Sequence, residues 1–231
     1  MKRSLLLAVF LIGTLGLGAS AQSVQDQKND SPGEKGKMAV KKEGSGFVSA
    51  TDAAKWALKA GDKMPEFNLP NVKKENVSSS DLLKRSNLVV VFYRGAWCPY
   101  CNLYLKRLQG SLQDFKKNGG ELVAISVENP DNSLSVAEKN KLEFTVLSDK
   151  NLDLARKFRL VYQLDPETNE KYKGYGIDLV KNNGTETPDL PISATYIVDK
   201  GGNITFAFID PDYTKRLEAK DIISELQKIR K

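Results

Sequence analysis

The sequence contains no histidine. That absence removes the Ser-His-Asp triad, the Cys-His dyad and every zinc site that needs an imidazole ligand. Cysteine is nearly as scarce, with two residues in 231, Cys98 and Cys101. A four-thiolate zinc or iron–sulfur site within one chain is therefore excluded as well. Nor does any stretch concentrate basic residues beside stacking aromatics. The net charge of +6 is interleaved with acids, as in "KRLEAKDIISELQKIRK", which reads as a solvated surface and not a nucleic-acid groove. No internal repeat is visible. Any chemistry must come from the two thiols, carboxylates, phenols, lysines or arginines.

What is present is an ordinary globular composition, 40% hydrophobic and 28% charged, sufficient for one substantial core. The first residues stand apart. Lys2 and Arg3 precede the apolar run "SLLLAVFLIGTLGLG", and Ala19-Ser20-Ala21 supplies a small-x-small site before Gln22. This pattern predicts a cleaved export signal over residues 1–21, cut between Ala21 and Gln22. The alternative, an uncleaved anchor, needs roughly 20 apolar residues, and glycines interrupt this shorter run. The expectation is a mature protein outside the cytoplasm, periplasmic or secreted, with no membrane attachment. Cleavage also removes two positive charges, Lys2 and Arg3. Residues 22–46 are polar and nearly free of large apolar side chains, so they read as a flexible tether. Residues 47–231 are expected to form one domain.

Within it, "TDAAKWALKAG" predicts a short helix capped by Thr51 or Asp52 and stopped at Gly61. "PEFNLPNVKKENVSSSDLL" gives two extended pieces around a polar turn, then a brief helix capped by Ser80 or Asp81. "NLVVVFY" is a continuous β-branched and aromatic run, the mark of a strand buried on both faces. After Cys101, the residues Leu105, Leu108, Leu112 and Phe115 recur at helical steps as far as Asn118-Gly119-Gly120. "ELVAISVE" and "FTVLSD" read as strands; "SVAEKNKL" and "LDLARKF" read as helices. The polar stretch from Tyr162 to Pro191 reads as a long loop, a lid, substrate rim or partner surface. It contains an Asn183-Gly184-Thr185 sequon. "ATYIVD" and "ITFAFID" flank "KGGN", a hairpin signal. A final helix places Ile222, Ile223, Leu226 and Ile229 on one face. Strands alternating with helices, then a hairpin and a last helix, predict an α/β domain with a mixed sheet covered on both faces.

The cysteines sit in "VVVFYRGAWCPYCNLYLKRL", where the buried strand gives way to a helix. Helix N-terminal N–H groups favour a thiolate at Cys98, and Pro99 suits the first turn. Cys101 lies one turn on, within disulfide reach. Position predicts an exposed, low-pKa Cys98 as nucleophile and a deeper Cys101 as resolving thiol. Three readings compete. A structural staple closing so short a loop would constrain the unfolded chain little. A Cu(I) clip would find no histidine and only three methionines to complete it. A working redox pair fits the strand-to-helix setting best.

"GDKMPEFNLPNV", "VVVFYRGAWCPYCNLYLKRLQ" and "ATYIVDKGGNITFAFIDPDYTKR" together resemble the alkyl hydroperoxide reductase/thiol-specific antioxidant family, in its peroxiredoxin-like branch carrying a C-x-x-C. The resemblance covers most of the chain after about Leu58. It implies a thioredoxin-like fold with a peroxiredoxin-type N-terminal extension, and a cysteine that attacks a peroxide or a disulfide sulfur. It implies no cofactor and no metal. Where the family pattern Pro-x-x-x-Thr/Ser-x-x-Cys is counted back from Cys98, this chain has Val91 and Gly95. Where thioredoxin-like proteins have a cis-proline and peroxiredoxins an arginine, it has Ser193, with Pro191 nearby.

Several further residues are candidates. Arg94, at the strand end, either lowers the thiol pKa and binds a peroxide oxygen or forms a strand-end salt bridge. Trp97 is expected to cover the site as a hydrophobic lip, and Tyr100 to contact substrate or simply face solvent. Glu128 reads first as a solvated strand-end acid, with proton transfer from Cys101 as its alternative. Tyr93 and Tyr104 read as core. Two mechanisms share the cysteine roles. In one, Cys98 reduces a hydroperoxide, becomes a sulfenic acid and condenses with Cys101. In the other, Cys98 attacks a protein disulfide. Either requires an external dithiol reductant of thioredoxin-like type, acting through a mixed disulfide. A non-enzymatic secreted binding module with a structural disulfide is the remaining reading.

Overall fold

The computed structural model of the chain describes residues 48–230. The expected signal peptide, its cleavage site, the tether and the boundary at residue 47 lie outside them. The first helix, α1 (Ala50–Trp56), starts earlier than the pattern indicates. Ser49 is its cap: the Ser49 hydroxyl accepts the Asp52 N–H at 3.1 Å and donates to the Asp52 carboxylate at 2.6 Å. The helix ends before Gly61. Strands β1 (Asn68–Pro70) and β2 (Asn76–Ser78) form an antiparallel ribbon. Helix α2 (Ser79–Arg85) follows directly, capped by Ser78 and not by Ser80 or Asp81. Both shifts have one cause: a serine that satisfies free helix N–H groups outcompetes neighbours of equal intrinsic propensity when its own backbone is extended.

The apolar run becomes β3 (Asn87–Phe92), buried at every position. The long helical pattern after it is split at Ser111 into α3 (Pro99–Gly110) and α4 (Leu112–Lys117). Then come β4 (Gly120–Ser126), α5 (Pro130–Lys139), β5 (Thr145–Ser148) and α6 (Asp153–Lys157). The expected long loop is largely structured. It carries β6 (Val161–Tyr162), α7 (Pro166–Gly174), α8 (Leu179–Asn183) and β7 (Leu190–Pro191). Sparse apolar residues anchor it, with Leu164, Tyr172, Ile177, Leu179 and Leu190 all buried. Asp165 and Asp178 cap its two helices through the N–H groups of Thr168 and Lys181. Asn183 of the sequon is fully buried. Strands β8 (Ala194–Val198) and β9 (Ile204–Ile209) form the expected hairpin, and α9 (Ala219–Ile229) closes the described chain.

The main sheet has the order β5-β4-β3-β8-β9. Strands β3, β4 and β5 run parallel, while β8 is antiparallel to β3 and β9 to β8. Alternation along β3 divides the core. Leu88, Val90 and Phe92 face α1, α2 and α6, whereas Val89 and Val91, with Tyr93 just beyond the strand, face α3, α4 and α9. Gly120 allows the closest approach of α9: a Cβ there would lie 2.6 Å from a Leu226 methyl carbon. This is a thioredoxin-like α/β fold, with the β1–β2 ribbon and α1 as an N-terminal extension. Among the described residues, no helix is long and apolar enough to cross a membrane. The carboxyl ends of β3 and β4 and the start of α3 meet at one edge, the usual position for a site in such a sheet.

Candidate active site

The chain leaves β3 through Tyr93 and Arg94 and turns at Gly95, whose φ of +147° favours glycine. Space makes the same demand. A Cβ on Gly95 would sit 2.5 Å from Trp97 Nε1 and 2.9 Å from the Glu128 carboxyl carbon. The Cys98 N–H closes the turn on the Gly95 carbonyl at 3.2 Å. Cys98 is the N-cap of α3, Pro99 its first residue and Cys101 its third. Behind them the Asn102 amide donates to the Ala96 carbonyl at 2.8 Å, and the Asn102 N–H to the Cys98 carbonyl at 3.1 Å. The turn is thus held along its length.

Both cysteines are thiols in this structure, and neither is exposed: Cys98 is 1% accessible and Cys101 0%. This corrects the expectation of an exposed Cys98. Position on the helix did not decide access; side chains from distant segments roof the site. Ionisation is corrected in the same direction. The hydrogen bond between Cys98 and Cys101, and then burial, push the Cys98 thiol far above an ordinary cysteine. Burial also opposes charge on Cys101. The hydrogen bond from Cys98, with the guanidinium groups of Arg216 and Arg94, outweighs it and holds Cys101 below an ordinary thiol. The Arg216 guanidinium, 3.6 Å from Cys101 Sγ, thus favours a thiolate on Cys101 over one on Cys98.

Arg94 is 2% exposed. Among the described residues it forms no salt bridge, which was one of its two readings. Its Nη2 donates to the Tyr172 hydroxyl. Its guanidinium carbon lies 4.0 Å from the ring centre of Tyr213, 4.8 Å from Trp97 and 5.5 Å from Tyr172. Its Nε has no hydrogen-bond partner among the described residues. Burial works against its charge, but Tyr162, Tyr172 and the two cysteines sustain it. A buried guanidinium enclosed by aromatic faces, whose charge lowers the pKa of both cysteines, is fitted to stabilise a thiolate.

Arg216 was missed by sequence reasoning. Its Nη2 approaches Cys101 Sγ at 3.6 Å. The only signal was its place at the end of "DPDYTKR", a stretch quoted for resemblance without a role for the arginine. Tyr172 was missed because it lies in what read as a loop. Glu128 is corrected outright, being 2% exposed and not solvated. Its carboxylate accepts the Ala96 N–H at 2.5 Å. Burial raises its pKa to about 7, against that hydrogen bond and with a further upward push from Cys101.

The remaining candidates are placed as follows. Trp97 is half-buried and packs on Tyr172 with ring centres 5.6 Å apart. Pro99 is exposed. Tyr100 is half-buried against Tyr213 at 5.7 Å. Tyr93 and Tyr104 are core residues, and the Tyr104 hydroxyl meets that of Thr195 at 3.2 Å. Ser193 is buried just before β8, and Pro191 pairs with Val161.

Comparison with known proteins gives a consistent result. A family model described as the AhpC/TSA family matches residues 60–207. The chain is 35% identical over 101 residues to peroxiredoxin Bcp of Escherichia coli (strain K12), covering 44% of this chain and 64% of that protein. It is 29% identical over 148 residues to chloroplastic peroxiredoxin Q of Gentiana triflora, covering 64% of this chain and 58% of that one. The match thus spans less than two thirds of the length of these curated relatives. Among solved structures, peroxidoxin BcpB from Mycobacterium tuberculosis superposes with a TM-score of 0.60 at 20% identity, over 75% of this chain and 99% of that one. Peroxiredoxin Q of Xanthomonas campestris does so with a TM-score of 0.56 at 16% identity, over 71% and 92%.

Proposed function

The chain belongs to the AhpC/TSA family, and we propose that within it this protein is a thiol-dependent peroxidase acting on small hydroperoxides. The observation that carries this reading is the burial of both sulfurs, with the Arg216 guanidinium 3.6 Å from Cys101 Sγ and the buried Arg94 favouring charge on both cysteines. A protein disulfide must meet its attacker sulfur to sulfur, and an enclosed dithiol disfavours that encounter. A small peroxide needs far less room, and it also needs positive charge where the oxygen–oxygen bond breaks. Peroxiredoxin activity among the relatives supports the same reading.

The roles of the cysteines are exchanged relative to the expectation from position. The Cys101 thiolate, held by Arg216 and Arg94, attacks the terminal peroxide oxygen. The oxygen–oxygen bond breaks, Cys101 becomes a sulfenic acid, and the alcohol or water leaves. The Cys98 thiol then condenses with the sulfenic acid, releasing water and forming the Cys98–Cys101 disulfide. Registering the family pattern on Cys101 supports this exchange. Counted back from it, Arg94 stands at the proline position and Cys98 at the Thr/Ser position, so a hydrogen-bond donor to the reactive sulfur is kept. A thioredoxin-like dithiol protein returns the disulfide to thiols through a mixed disulfide. The signal pattern of residues 1–21 supports work outside the cytoplasm, where that reductant must be supplied because thiols there tend to oxidise.

The test is stopped-flow oxidation of the reduced protein by hydrogen peroxide, followed by Trp97 fluorescence. The expected rate exceeds that of a small thiol of equal pKa by orders of magnitude. Cys101→Ser should abolish it, whereas Cys98→Ser should keep the first oxidation and lose turnover. A rate equal to the small thiol's would leave protein disulfide exchange as the function. Retention by Cys101→Ser with loss in Cys98→Ser would restore Cys98 as the attacker.

A further inference from the structure

The peroxidase reading leaves one proton without a source. The Cys101 thiolate has already lost its proton, yet the oxygen that departs from the peroxide must gain one. The adjacent Cys98 thiol holds its proton tightly and is needed intact for the condensation. Glu128 is a buried carboxyl group at this site, placed just past the end of β4. Its position is built, not incidental. The Ala96 N–H fixes one carboxyl oxygen, Gly95 lacks the side chain that would displace it, and the unpartnered Trp97 Nε1 borders the same space. The Ala96 carbonyl, in the next peptide, accepts the side-chain amide of Asn102, the residue after Cys101. Among the described residues no lysine or arginine pairs with Glu128, and a charge on Cys101 pushes its pKa further up.

We propose that Glu128 is the proton carrier of the dithiol, protonated while Cys101 is a thiolate and the donor of that proton to the departing peroxide oxygen. The inference rests on the peroxidase reading. The first step balances as Cys101 thiolate, hydroperoxide and Glu128 carboxylic acid going to Cys101 sulfenic acid, alcohol and Glu128 carboxylate. In the second step Cys98 loses its proton as its sulfur displaces hydroxide from Cys101. The Glu128 carboxylate relays that proton, and water leaves. When an external dithiol reduces the disulfide, its two protons return to Cys98 and Glu128, and Cys101 is again a thiolate. The net charge of the site is the same at each resting point, which spares a buried site the cost of creating or losing a charge.

The titratable groups that face Glu128 are Cys101 from α3 and Tyr93 from the end of β3. Arg94, from the same strand end, acts on the two sulfurs. Burial pushes the Tyr93 phenol above its already high ordinary pKa, so it does not compete for this proton. Carboxyl and thiolate disfavour each other's charge, so one proton is divided between them.

The decisive variant is Glu128→Gln, which still accepts the Ala96 N–H but has no acidic proton to give. Two readouts are needed on the full protein, thiolate absorbance against pH and single-turnover oxidation by hydrogen peroxide against pH. E128Q should ionise its dithiol at lower pH, because a neighbouring negative charge is gone. Despite carrying more thiolate it should react about 10- to 100-fold more slowly at neutral pH. It should also lose the decline in rate that the native protein shows above pH 7. A purely structural role would not lower the thiol pKa while slowing the reaction. A fast native protein with an equally fast E128Q overturns the proposal alone. A native protein no faster than a small thiol overturns the peroxidase reading, and this step with it. Should E128Q not fold, the native profile decides: a rate that still climbs with thiolate through pH 8 excludes the carboxyl donor.

Discussion

Two buried acids follow adjacent parallel strands at the same edge of the sheet, Glu128 after β4 and Asp149 after β5, with exposures of 2% and 1%. Their surroundings differ. Asp149 accepts the N–H groups of Leu154 and Ala155 at 2.9 and 2.8 Å, in the first turn of α6. It spans Asn151 and Leu152, both in the left-handed region at φ of 71° and 63°, which costs roughly 1–2 kcal/mol per residue. Both of its oxygens are thus committed to holding a strained turn onto a helix. Among the described residues Glu128 has one backbone N–H, no paired cation, and Cys101, whose charge opposes its own. Burial raises the pKa of both acids. At Asp149 two backbone hydrogen bonds offset part of that cost and the group is structural. At Glu128 the cost is left standing, and a carboxyl group that can hold or release a proton near neutrality results. Burial of a charged residue therefore says little about function until its partners are counted.

Three perturbations separate the two regions, beginning with the largest effect. Arg94→Met should slow peroxide oxidation about 100-fold, because the thiolate loses a buried counter-charge. The melting temperature of the reduced protein should fall, since removing one partner of a buried charge pair leaves the other uncompensated and the Tyr172 hydroxyl loses its donor. Paired stopped-flow and calorimetric measurements would check both, and a protein that unfolds without Arg94 would make that region structural too.

A smaller effect lies in stability against pH. The Glu128 pKa is raised above its unfolded value, so the native state binds the extra proton. The associated stability is present below about pH 4.5 and is lost as pH rises through about 7. Between pH 5.5 and 8 the loss should be about 2 kcal/mol, read from denaturant titrations of the reduced protein. It should be absent from E128Q.

The smallest effect is expected at the other acid. Asp149→Ala frees two buried N–H groups and should cost about 1–2 kcal/mol of stability. Its rate with peroxide should equal that of the native protein. A rate defect of tenfold or more in a folded Asp149→Ala protein would break the contrast between the two acids.

Much of the architecture was legible in the sequence because it is local. The all-buried strand "NLVVVF" showed its environment by composition, the "KGGN" hairpin by its turn, and α9 by the spacing of Ile222 and Leu226. The helix caps were misplaced by two or three residues because several serines and aspartates compete there, and only backbone conformation selects among them. The segment from Tyr162 to Pro191 read as loop because its apolar anchors are sparse and follow no single period. Their partners lie elsewhere in the fold.

The cysteine pair, its position at a strand-to-helix junction and the family were fixed by the sequence, since each depends on residues within a few positions of one another. Which sulfur carries the charge was not. That depends on Arg94 meeting Tyr172 across 78 residues and on Arg216 reaching Cys101 across 115. The roof over the thiols and the burial of Glu128 are likewise products of segments that are distant along the chain. Electrostatic energy depends on distance and on the exclusion of water, and both are set only when the chain has folded.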